Sequence, residues 1–443
     1  MPVGRLTRRG ALPIVLLSAV ALLGAGNAPA VADSSVSLPI SSASDIVVDS
    51  VYQHLFISDA ADSSVLVTDY DGSVVTEIPS QSGAAGLAMD EDFVYVALPS
   101  ANAISVINRS TLQEITRRPT GVGIAPQHLA FAAGKLWFGY DTSLQGKLGS
   151  LDRSGWYMTL NQDGNHSWKS APLLASSSGA PGMLAAGAPG QSPTELQVYD
   201  VSSGTAVSTA YASDPGSQGG GNVSDMALAL DGKDVVTASA SPQYAQVFRT
   251  SDLSVDGNYA TSGSPNAVAV SPDGRVATGI AGPASTDLSV FLPGNSTAVQ
   301  NYDLSDDLVP AGLAWDPFNN RLFALTQPSG GGPVTLHVET PAKADTTMEL
   351  QVPATAKRNR PLTLNGTLSS PIAIPDATDV SVTRTDSASP NGITVGNAGV
   401  SSLNTFTITD IPPVAGVVTY TVTYAGDNAH NGTTATATVQ VSK

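Results

Sequence analysis

The chain has 443 residues and a formal charge of −17, with 42% apolar but only 13% charged residues. An acidic chain without an extended Arg/Lys cluster repels phosphate backbones, which argues against a nucleic-acid partner. The absence of cysteine excludes disulfides, thiolate catalysis and Cys-ligated zinc, and 42 Gly with 30 Pro favour many short strands and tight turns over long helices.

In chain order, Met1–Ala32 reads as a signal peptide. Arg5, Arg8 and Arg9 form a basic start, Leu12–Gly26 an apolar segment, and Ala30-Val31-Ala32 a cleavage site before Asp33. The run Thr7-Arg8-Arg9-Gly10-Ala11-Leu12 suits either the Sec or the twin-arginine route. No second apolar stretch is long enough to span a bilayer, so the expectation is a secreted, extracellular protein with no membrane span.

Beyond the leader, an apolar-small-apolar triplet recurs. It begins at Ile46, Leu87, Leu129, Met226, Val268 and Leu313, with spacings of 41, 42, 97, 42 and 45. The spacing of 97 leaves room for one more unit in Pro172–Asn222, which makes seven. Each unit continues with a second apolar run, such as Phe93-Val94-Tyr95-Val96. A third follows, such as Ile104-Ser105-Val106-Ile107-Asn108, and then a turn and a fourth. Four short strands in some forty residues are the blade of a β-propeller. The small central residue (Ala88, Ala130, Ala227, Ala269, Ala314) fits a first strand crowded at a central channel. The last unit has room for three strands, and Val36–Ile40 is expected to pair beside Val334–Val338 and close the ring.

With these repeats, and with the turn Val270-Ser271-Pro272-Asp273-Gly274-Arg275, residues 36–341 resemble seven-bladed propellers of the YVTN and streptogramin-lyase-like kind. The resemblance implies an all-β, seven-bladed propeller over 33–341. Streptogramin lyases use more than one channel His with a divalent metal; this chain does not repeat that pattern.

After Pro341 the texture changes to Thr/Val alternation, as in Thr419–Tyr424 and Ala435–Val441, which signals a sheet with one wet face. About seven strands over 342–443 suit an Ig-like β-sandwich. The segment Tyr420–Asp427, followed by Thr434–Val441, resembles the end of bacterial Ig-like repeats, which serve as spacers or adhesive modules. Lys357-Arg358-Asn359-Arg360 forms a small basic turn.

Chemistry is sparse. No nucleophile elbow stands on a strand-to-helix turn, and no glycine-rich loop opens a helix. Asp45, Gln127, His128, Asp225 and Asn266 lie just before first strands, where they would meet at the channel mouth as candidate ligand-binding residues. Loops between second and third strands would add Asp59, Asp141 and Asp287 on the same face. The insert Asn161–Ala171 offers His166 and Trp168 as a second candidate, since an exposed indole with a polar rim suits a sugar. No cofactor, catalytic residue or metal ligand is assigned. The expected function is non-catalytic binding of an extracellular protein or cell-surface polysaccharide; the alternative is a metal-assisted lyase or hydrolase at the channel.

Overall fold

A computed structural model describes residues 33–214, 221–282, 286–304, 306–318, 320–376 and 378–443. The leader read over Met1–Ala32 lies outside the described residues. Contacts divide the chain after Ala342 into two compact units. Among the described residues no helix is long and apolar enough to cross a membrane.

In the first unit the described strands form seven antiparallel sheets of four. Sheet 1 is Asp45–Asp49, His54–Asp59, Ser64–Asp69 and Val74–Ile78; sheet 2 is Leu87–Met89, Phe93–Leu98, Ala103–Asn108 and Gln113–Pro119. Sheet 3 is Ala125–Ala132, Lys135–Asp141, Gly146–Asp152 and Tyr157–Thr159; sheet 4 is Leu173–Ala175, Met183–Gly187, Glu195–Asp200 and Val207–Ser213. Sheet 5 is Gly221–Leu228, Asp234–Ser241, Tyr244–Arg249 and Val255–Ala260; sheet 6 is Pro265–Val270, Val276–Ile280, Leu288–Phe291 and Ala298–Tyr302. Sheet 7 joins Asp307–Trp315, Leu322–Gln327 and Thr335–Glu339 to Ser34–Ser37 from the start of the described chain.

Each innermost strand touches that of the next sheet, and the innermost strand of sheet 7 touches that of sheet 1. Second and third strands are buried at nearly every residue, because each sheet is covered on both faces by its neighbours. Outermost strands are largely exposed. The repeat extends to irregularities. In sheets 1, 2, 4, 5 and 6 the pairing of the third strand with the outermost one shifts by a bulge at the same place.

The turn Ser271–Arg275 shows why its residues recur. Gly274 takes φ +90° and donates its N–H to Ser271 O at 3.0 Å. Asp273 accepts the Arg275 N–H at 3.2 Å and pairs with its guanidinium at 2.6 Å. That guanidinium lies 5.1 Å from the ring centre of Trp315 in the neighbouring sheet. The turn therefore ties two sheets together.

Closure comes from the N-terminal strand. Ser34 pairs with Val338 and Val36 with Leu336. The contact continues past the strand through Leu38 N to Val334 O (2.8 Å) and Val334 N to Ile40 O (3.1 Å). The regular strand starts two residues before the expected Val36. Leu38 and Ile40 are buried in the core shared by sheets 1 and 7.

The second unit packs two sheets on one core. A three-stranded sheet holds Thr347–Gln351, Leu362–Ser369 and Thr405–Asp410. A five-stranded sheet holds Thr355–Lys357, Thr433–Ser442, Gly416–Tyr424, Asp379–Thr385 and Ile393–Gly399. Leu364 and Phe406 from the first meet Val382, Tyr420 and Val422 from the second. Along Gly416–Tyr424 the residues Val418, Tyr420, Val422 and Tyr424 are buried while the threonines face outward, as the alternation requires. The buried Arg384 guanidinium joins Asp386 (2.9 Å) and Asp410 (2.7 Å) inside this unit.

If the closing segment carries stability, Leu38→Ala lowers the unfolding free energy by about 2–5 kcal/mol, the usual loss for a buried leucine. Val75→Ala, on an exposed outermost position of sheet 1, changes it by less than about 0.5 kcal/mol. Urea denaturation followed by tryptophan fluorescence measures both.

Candidate functional site

The innermost strands surround a cavity of about 630 Å³. Its wall is mostly aliphatic, with Val47, Ala88, Ala130, Leu174 and Ala227 among its lining. Three titratable side chains join that lining, Asp45, His128 and Asp225. All three immediately precede the recurring triplet of an innermost strand, at Ile46, Leu129 and Met226, so they share one level of the channel.

A one-residue irregularity decides which polar residues reach the cavity. The pairing of first and second strands shifts between Pro126 and His128 in sheet 3, between Val223 and Asp225 in sheet 5, and between Pro265 and Ala267 in sheet 6. The extra residues are Gln127, Ser224 and Asn266. Because side chains alternate along a strand, a one-residue slip separates the extra residue from the one that follows it. His128 and Asp225 line the cavity; Gln127 and Asn266 do not. The expectation that all five mouth candidates converge is corrected on those two. Gln127 Nε2 reaches Asp141 Oδ2 at 3.4 Å. Asn266 Nδ2 donates to Leu308 O of sheet 7 at 2.5 Å.

The two carboxylates are ties between sheets. Asp45 accepts the N–H of Ile46 (2.7 Å) and that of Leu87 in sheet 2 (2.7 Å). Asp225 accepts the N–H of Met226 (2.8 Å) and that of Val268 in sheet 6 (2.8 Å). Burial pushes Asp45 up to about 8; its backbone hydrogen bonds oppose the rise, and the negative field of Asp225 adds to it. Burial also pushes Asp225 up to about 7 against its own backbone hydrogen bonds. Burial pulls His128 down to about 4, so its imidazole is neutral at pH 7. Among the described residues no group of three or more His, Asp or Glu is placed to hold a metal ion.

The loop acids serve the fold. Asp59 accepts from Ser42 Oγ (2.5 Å) and Ala61 N (2.9 Å), Asp141 from Ala171 N (2.6 Å), and Asp287 from Leu304 N (2.8 Å).

The insert candidate is corrected more sharply. Trp168 is fully buried, so it offers no exposed face for a sugar. The outermost strand of sheet 3 is only three residues long, and the insert returns beside the start of the third strand. There Gly146 N donates to Trp168 O (2.8 Å) and Trp168 N to Gly146 O (3.2 Å). The indole then fills the space between sheets 3 and 4 against Trp137, Leu184 and Tyr199. His166 is half-buried, 4.7 Å from the Trp168 ring and 3.2 Å from Glu195 Oε1. Beneath the insert, Lys147 Nζ bonds Gly164 O at 3.2 Å and lies 3.8 Å from Asp163 Oδ1. The sequence carried no spacing signal for this buried pair.

Two measurements follow from these placements. Asp45 binds its proton more tightly folded than unfolded, so its contribution to stability falls as pH rises from about 4 to about 8. Each extra proton held by the folded state steepens that fall by about 1.4 kcal/mol per pH unit. Asp45→Asn removes this titration, so wild type loses stability relative to the variant from pH 5 to pH 8 in urea unfolding. Parallel curves would overturn the assignment. Trp168→Ala costs about 3–5 kcal/mol of stability, as a buried aromatic does; a rim indole would leave unfolding nearly unchanged.

No protein-family model matches the chain. No curated protein matches it either. Solved structures do. One, described as Kuenenia stuttgartiensis hydrazine synthase, aligns with a TM-score of 0.53 at 16% identity, covering 69% of this chain and 97% of that one. Another, the β-propeller domain of Myceliophteria thermophila Cps50 (Swd1), aligns with a TM-score of 0.53 at 11% identity, covering 70% of this chain and all of that one. At such identities the likeness concerns the fold alone, and the fold is a β-propeller.

Proposed function

We propose that the chain is an exported, non-catalytic binding protein. The seven sheets are the blades of one seven-bladed propeller, within the span 33–341, and its channel-mouth face recognises a cell-surface glycan or a protein partner. The unit after it is an Ig-like sandwich over 342–443 that acts as a spacer or an adhesive surface.

What supports this most is the state of the channel carboxylates. Asp45 and Asp225 hold backbone N–H groups of neighbouring sheets, so their first role is to set the geometry of the ring. An open cavity with an aliphatic wall, two carboxyls and an imidazole toward one end and Ser176, Ser177 and Ser178 at the other is suited to binding. The displaced titrations of Asp45, His128 and Asp225 are what favour the alternative, a metal-assisted lyase or hydrolase acting at the channel.

A glycan array combined with a pull-down from culture supernatant separates the two. The expected result is a retained glycan or protein and no turnover of lactones or esters with added divalent metal. No retained ligand, together with metal-dependent turnover, would reverse the order of the two readings.

A further inference from the structure

The two ends of the first unit differ in how their charges are settled. At the end away from the channel mouth, where first strands turn into second strands and third into outermost, seven cations each meet an acid. Arg109 lies 3.3 Å from Asp49, Lys135 3.7 Å from Asp152, and Arg153 3.2 Å from Asp90. Lys233 lies 2.6 Å from Asp231, Arg275 2.6 Å from Asp273, and Arg321 3.9 Å from Asp71. Arg249 pairs with Asp256.

The mouth end is settled differently. Lys147 is buried beside Asp163 and Lys169 is exposed on the insert; toward this end of sheet 2, Arg117 pairs with Glu114 and Arg118 lies over the Trp156 ring. Against these stand Asp45 and Asp225 in the cavity, with Asp62 exposed on a loop of the same face. Two apolar side chains also stand out from this end of sheet 3. Val122 is 103% exposed between Gly121 and Gly123, and Leu144 is 90% exposed. Leu144 is held out by an ordered turn, since Thr142 Oγ1 accepts the N–H of Leu144 (3.3 Å) and of Gln145 (3.1 Å). The loops that carry both lie at the end of sheet 3 from which His128 enters the cavity, where Ala125 pairs with Asp141.

We propose that this face docks a cationic polypeptide segment, which places one Lys or Arg side chain in the cavity between Asp45 and Asp225 and rests apolar neighbours on Val122 and Leu144. The proposal depends on the binding reading above and specifies its partner. The aliphatic channel wall suits the methylene stem of such a side chain, and the two carboxylates suit its charged end. A cation entering between these carboxyls favours their ionised forms and displaces the protons that burial retains. His128, the remaining titratable group of the lining, is uncharged over this range and does not repel it. Affinity is therefore expected to rise from pH 6 to pH 9 and to weaken with added salt.

The test is selection of random peptides displayed on phage against the immobilised full chain, followed by fluorescence anisotropy with the selected peptides. The expected binders carry a Lys or Arg flanked by apolar residues. Asp45→Asn combined with Asp225→Asn is expected to weaken them by about tenfold or more. Because those carboxylates also tie sheets, Leu144→Ser serves as the second variant, removing the apolar side chain without adding charge. It alters an exposed turn tip and is expected to weaken binding comparably with unfolding unchanged. Asp71→Asn, at the opposite end, is expected to leave affinity unaltered. Absence of selected binders, binders without a basic residue, or binding indifferent to both mouth variants overturns the proposal. A partner retained from culture supernatant but indifferent to these variants would leave the binding function standing and remove this inference alone.

Discussion

The innermost strands of neighbouring sheets touch one another in turn, and the distance between their backbones limits everything outside them. The alanines at the centre of five of the triplets answer that crowding. So does Gly86, where an added Cβ would stand 2.6 Å from Gln127 O of the next sheet. Gly139 meets the same limit against Pro172 O, at 2.1 Å. Once the inner strands are fixed at this spacing, the second and third strands of each sheet lie close enough to be covered on both faces. Their near-complete burial supplies the core of a protein without disulfides.

The same crowding makes the architecture legible in sequence. A position that tolerates only a small side chain repeats at the period of the unit, and Ala88, Ala130, Ala227, Ala269 and Ala314 mark it. The fourth sheet was readable only by interval, because its triplet position is occupied by Leu174 rather than alanine. The turn at Ser271–Arg275 was readable as a turn. That its arginine lies on Trp315 of the next sheet was not, since contacts between sheets leave no periodic trace.

The site was less legible, for two physical reasons. Whether a polar residue before a first strand reaches the cavity depends on a bulge one residue long. Asp225 and Asn266 look alike in sequence, yet one lines the channel and the other bonds Leu308 O. Trp168 sits among Asn, Asp, Gln and Ser, which suggests a wet loop. The short outermost strand of sheet 3 leaves a gap at the sheet edge, and the indole fills it. Local polarity describes the loop around a residue, whereas burial is set by what the neighbouring sheets leave uncovered.

The closing strand has a consequence for the order of events as the chain acquires its structure. Asp33 Oδ1 accepts the N–H of Thr340 across 307 residues of sequence. No local folding step can form that contact, and the loop it closes is nearly the whole unit. Until Thr335–Glu339 is in place, both it and Ser34–Ser37 are unpaired edges open to other chains. Six sheets can form from local hairpins, but the seventh waits for the last of them. The interval before closure is when this protein is most exposed to association with copies of itself.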